Sequence, residues 1–75
     1  MSEVQRHEVL AEAAYEAMYD ATSRHLAKVR YEDACGHFRR AITAARASDH
    51  RSEAARLEQR LAHIRTVYRH QFRWV

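Results

Sequence analysis

Proline is absent from this sequence, and Gly36, Cys35, Lys28 and Trp74 are each the single example of their type. With so few residues that punctuate a backbone, a turn-rich β architecture is excluded and an almost entirely helical chain is expected. One cysteine excludes an internal disulfide framework and a cysteine-based zinc site. No stretch reaches the ~18 consecutive apolar residues of a membrane span. Residues 1–8 also lack the apolar run that a signal peptide needs. A soluble, cytoplasmic protein is the expectation.

What the sequence does contain is alanine and arginine. Of its 75 residues 47% are hydrophobic, yet 14 of those are Ala, so one small domain with a shallow core is expected. Such a core favours close helix packing, and a chain this short gains stability from self-association into a homodimer. The net charge is +3, and 12 of the 13 cationic residues are Arg.

The clearest periodicity lies in the middle of the chain. Tyr31, Ala34, Cys35, Phe38, Ala41, Ile42 and Ala45 recur at the three- and four-residue spacing of one helical face, with Phe38 at its centre and Gly36 opposite. Cys35 on that stripe reads as a small buried hydrophobe. Upstream, Ser2 and Gln5 form a capping box, and Leu10, Ala14, Ala17 and Ala21 predict the buried face of a first helix over about 3–28. Tyr15, Tyr19, Thr22 and Leu26 form a second row, and Glu8, Glu12, Glu16 and Asp20 an acidic one.

The change of phase places a turn at Lys28-Val29-Arg30, although one long helix over 3–47 is the competing reading. The second helix then covers 31–47. Ser48-Asp49-His50 marks a break, with Asp49 as the expected N-cap of a third helix over 51–73. Ala54, Leu57, Leu61, Ile64 and Tyr68 form its seam. The expected architecture is an all-α, three-helix up-down-up bundle spanning 1–75.

Tyr31-x-x-Ala34-x-x-x-Phe38-x-x-Ala41-Ile42 resembles the second helix of a tetratricopeptide repeat. Met18, Ala21, Thr22 and His25 fit the signature of the first helix poorly. Val29 replaces the turn glycine, and Arg46 the proline that follows the pair. A hairpin of this kind plus a third helix is similar to a microtubule-interacting and transport domain. The resemblance implies an up-down-up bundle that binds a short peptide or helix in a groove between helices.

No residue set points to catalysis. Catalysis would need converging groups, a nucleophile with a base or two carboxylates in a cleft. A single small bundle seldom encloses a pocket, and no glycine-rich phosphate loop is present. No cofactor is expected. The six histidines lack the His-x-x-x-His spacing of a helical metal site, and Glu3/His7 and Asp33/His37 are only i, i+4 pairs. All six therefore read as solvated surface residues, with no metal site among them.

The function expected is a non-enzymatic protein–protein interaction module. Its candidate partner-binding residues are Tyr15, Tyr19 and Leu26 from the first helix and Val67 and Trp74 from the third. Exposed aromatics rotated off the core seams are common binding anchors. Arg65 and Arg69, with Arg73, form a basic ladder; it and the acidic one flank a shared groove, meet across a dimer interface, or form two solvated faces. Nucleic-acid binding through the Arg-rich third helix is the alternative, although Glu53 and Glu58 interrupt its charge. No membrane partner is expected.

Overall fold

The computed structural model describes residues 2–72. It has three helices: α1 (Glu3–Tyr19), α2 (Arg24–Ala47) and α3 (Arg51–Gln71). α2 is central. Both of the others pack along it, whereas α1 and α3 meet through long side chains. Glu8 and Glu12 of α1 pair with Arg56 and Arg60 of α3 in the same chain order. Arg46 and Tyr31 of α2 pair with Glu58 and Tyr68 in reversed order. The direction is therefore up-down-up.

The α2 stripe is buried as its spacing dictates. Ala34, Cys35, Phe38, Ala41, Ile42 and Ala45 are buried, and Tyr31 packs against them half-buried. Ala54, Leu57, Leu61 and Ile64 supply the α3 side of the core. The small residues at positions 34, 41, 45 and 54 let backbones approach closely, while Phe38, Leu57 and Ile64 fill the space between them.

Two expectations at the helix ends are corrected. α1 stops at Tyr19 rather than near position 28, and the connection is 20–23. Ser23 is the N-cap of α2, its Oγ accepting a hydrogen bond from the Leu26 N–H at 3.1 Å. Lys28, Val29 and Arg30 continue inside α2. At the next connection the N-cap of α3 is His50, which makes no side-chain capping bond. Asp49 instead takes a left-handed conformation, φ 59°, just past the end of α2. The His50 N–H bonds to the Ala45 carbonyl at 2.8 Å, and the Asp49 N–H to the Arg46 carbonyl at 3.0 Å. This is a Schellman closure, which satisfies the carbonyls left over at a helix end. At the start of α1 the expected capping box is present, with Ser2 and Gln5 bonding each other's backbone N–H.

The buried seam of α1 is also rotated from the expected one. Val4, Ala11 and Met18, seven residues apart, are buried, whereas Leu10 is 44% exposed. Alanines contribute little apolar area, so a run of them sets no phase. The larger Val4, Tyr15 and Met18 decide which way the helix turns.

Candidate interaction surface on the first helix

The rotation of α1 brings its acidic row partly against α3. Arg56 forms an end-on pair with Glu8, Nη1 to Oε2 and Nη2 to Oε1, both 2.8 Å. Its Nε donates to Glu53 Oε1 at 2.8 Å one turn away on α3. One turn further on, Arg60 forms a second two-pronged pair with Glu12. Planar guanidinium forks suit this geometry, and the doubled bonds tie the two helices side by side. The Arg56 guanidinium holds the Glu8 carboxyl below its ordinary value. It lowers that of Glu53 too. Glu16 and Asp20 continue the row exposed, with no ion pair among the described residues.

Past these pairs an aromatic row crosses the same end of the bundle. Tyr31 of α2 stacks on Tyr68 of α3 with ring centroids 3.9 Å apart. Tyr68 neighbours Phe72, and Phe72 meets Tyr19 edge-on at 5.6 Å. Tyr19 meets Tyr15 edge-on at 5.4 Å, their hydroxyls 3.1 Å apart. Arg60 closes the row, its Cζ lying 5.1 Å from the Tyr15 ring centroid. Burial, and then the bond to Tyr19, push the Tyr15 hydroxyl up to about 12.

These contacts separate the candidate residues. Tyr15 is half-buried and packs on the core, and Leu26 and Val67 are also half-buried. Tyr19 keeps 46% of its surface exposed. Arg65 and Arg69 are exposed. The acidic row meets Arg56 and Arg60. Arg65 instead lies beside the Tyr31 hydroxyl on the α2 side. Trp74 and Arg73 lie outside the described residues.

Sequence reasoning missed Val9 and Leu10. Among the described residues the large hydrophobics left exposed are Val9 at 55%, Leu10 at 44% and Tyr19 at 46%, and all three stand on α1. A shallow depression on this helix is lined by Gln5, Glu8, Val9, Glu12, Ala13 and Glu16. Alanine-based phasing hid the exposure of Leu10.

The histidine expectation is corrected in part. His25, His50, His63 and His70 are exposed, but His7 and His37 are half-buried and in contact across α1 and α2. No helix among the described residues is long and apolar enough to cross a membrane. Comparison with known protein families, with curated proteins and with solved structures finds no match to this chain.

Proposed function

We propose that this chain is a non-enzymatic interaction module that receives a partner helix or peptide on the outer face of α1. One observation carries the reading: every large hydrophobic side chain exposed among the described residues lies on that helix. Burying the adjacent Val9 and Leu10 under an apolar helix face would stabilise a complex by removing that surface from water. Tyr19, nine residues from Leu10, lies on the opposite side of α1. Glu12 and Glu16 border the apolar strip, a polar rim of the kind that surrounds interaction patches. The groove between α1 and α3, where the family resemblance would seat a peptide, is bridged by Arg56–Glu8 and Arg60–Glu12. The outer face needs no such pair to break. The alternative role in nucleic-acid binding is less favoured, because Arg56 and Arg60 already engage carboxylates of α1.

The test is a double variant, Val9→Ser with Leu10→Ser, compared with the parent by sedimentation and by quantitative affinity capture. Both side chains are exposed, so melting should move by no more than a few degrees while association, with itself or with a partner, is lost. Retention of the same associations by the variant overturns the proposal. So does a parent that stays monomeric and captures nothing.

A further inference from the structure

Two histidines thirty positions apart meet where α1 packs against α2. His7 lies one turn beyond Val4 on the packed side of α1, and His37 is the neighbour of the buried Phe38. Their Nδ1 atoms stand 3.4 Å apart. The ring centroids are 5.6 Å apart and the planes 27° from parallel. Only 14% of the His7 side chain is exposed, so the facing nitrogens are partly shielded from water.

Facing nitrogens at this distance either share one proton or hold one cation. A tetrahedral ion with metal–nitrogen bonds of about 2.0–2.1 Å keeps its two nitrogens roughly 3.3–3.4 Å apart. The observed separation is that bite. The ion sits about 1.2 Å off the line joining the nitrogens, which a small tilt of each ring opens. A second observation points the same way. His7 Nε2, the ring nitrogen remote from the pair, faces Glu3 Oε1 at 4.0 Å. That distance is beyond a hydrogen bond, so Glu3 places a negative charge near the pair without fixing which His7 nitrogen carries the proton.

A depression lined by Glu3, His7, Arg40 and Thr43 opens at His7, and His37 is not among its lining residues. Arg39 and Arg40 on its rim oppose a cation, and Glu3 offsets part of that repulsion. Among the described residues no group of three or more His, Cys, Asp or Glu is gathered for a metal. The protein therefore offers two ligands, and water fills the remaining positions.

We propose that His7 and His37 form a two-histidine site for a borderline divalent cation of the Zn2+ class, which ties α1 to α2. Imidazole donors select Zn2+, Ni2+ or Cu2+ over Mg2+ and Ca2+, which prefer oxygen. An ion that binds the folded chain raises its melting temperature. Zn2+ should therefore raise the melting temperature of the native chain, a chelator should reverse the rise, and Mg2+ should have no effect. His7→Gln and His37→Gln should each keep the parent's helicity and lose the Zn2+ response. Should either variant fail to fold, the native chain still decides. Substoichiometric Cu2+ should broaden the ring proton resonances of His7 and His37 before those of His25, His50, His63 and His70. A Zn2+ response that survives in both variants overturns the proposal. Broadening spread evenly over the six rings, or no Zn2+ response in the native chain, overturns it as well.

Discussion

Arg60 holds Glu12 through two parallel N–H···O bonds, Nε to Oε2 and Nη2 to Oε1, each 2.8 Å. The two residues are 48 positions apart, so this pair and its neighbour Arg56–Glu8 act as long-range ties between helices that scarcely approach one another elsewhere. An exposed ion pair is ordinarily worth ~0.2–1 kcal/mol. Arg60–Glu12 is partly buried while Arg56 is exposed, and the two pairs share one row. Their main effect is to hold α1 and α3 side by side. Glu8, Glu12 and Glu16 recur every four residues, as Arg56 and Arg60 do. A one-turn slide would therefore form equivalent pairs, and the register is set by the packed core instead.

Acid should loosen this tie. Arg56 keeps the folded-state pKa of Glu8 below its ordinary 4.5. A depressed carboxyl contributes stability that is fully present above its unfolded value and is lost as pH falls through the folded one. Denaturant midpoints should therefore decline on going from neutral pH to about pH 3. Glu8→Gln should be less stable than the parent at neutral pH and lose less on acidification. Equal acid sensitivity in parent and variant would show that Arg56–Glu8 contributes nothing.

The left-handed Asp49 makes a local prediction. Asp tolerates φ 59° better than most residues, but glycine adopts it without steric cost. The Asp49 side chain makes one exposed bond, accepting from Arg51 Nε at 3.1 Å, which adds little. Asp49→Gly should raise stability by roughly 0.5–1 kcal/mol. A fall in melting temperature would mean that the Arg51 contact outweighs the backbone preference.

How far the sequence could be read depended on side-chain size. The stripes of α2 and α3 contain Phe38, Ile42, Leu57, Leu61 and Ile64, large enough to fix the phase, and both stripes are buried as expected. On α1 the same spacing was carried by alanines, and the face came out rotated. The turn at 20–23 was equally hard to see without glycine or proline. Its signal was the close grouping of Asp20, Thr22 and Ser23, residues that cap helices by accepting backbone bonds. The ties from Glu8 to Arg56 and the meeting of His7 with His37 depend on how helices are placed in space. Periodicity within one helix holds no record of that.

Gly36 lies in the interior of α2, where a glycine costs ~0.5–1 kcal/mol relative to alanine. An added Cβ would meet nothing within 4 Å. Gly36→Ala should accordingly stabilise the bundle by up to about 1 kcal/mol, read as a higher denaturant midpoint with an unchanged slope. A loss of stability would place another surface against this face of α2.

The aromatic row sets the response to alkali. Tyr15 is half-buried under Arg60, and its hydroxyl faces that of Tyr19 at 3.1 Å. Burial first, and then that bond, raise its pKa from 10.0 to about 12. Burial likewise raises that of Tyr31, with the Cys35 thiol adding to it. Both groups fold best in the neutral form. For a raised pKa the stability is complete below the unfolded value and disappears as pH climbs through the folded one. The bundle should thus hold its stability to about pH 10 and lose it between about pH 10 and 12. A titration followed by near-ultraviolet tyrosinate absorbance should show part of the tyrosine signal delayed above about pH 10. That delayed signal should appear together with the loss of helical circular dichroism. Tyr15→Phe cannot ionise there, so its helicity should persist to higher pH than the parent's, although it forgoes the bond to Tyr19. Four tyrosines titrating together near the ordinary value, with helicity intact, would show that the row is open to solvent and that Tyr15 is not held neutral by the fold.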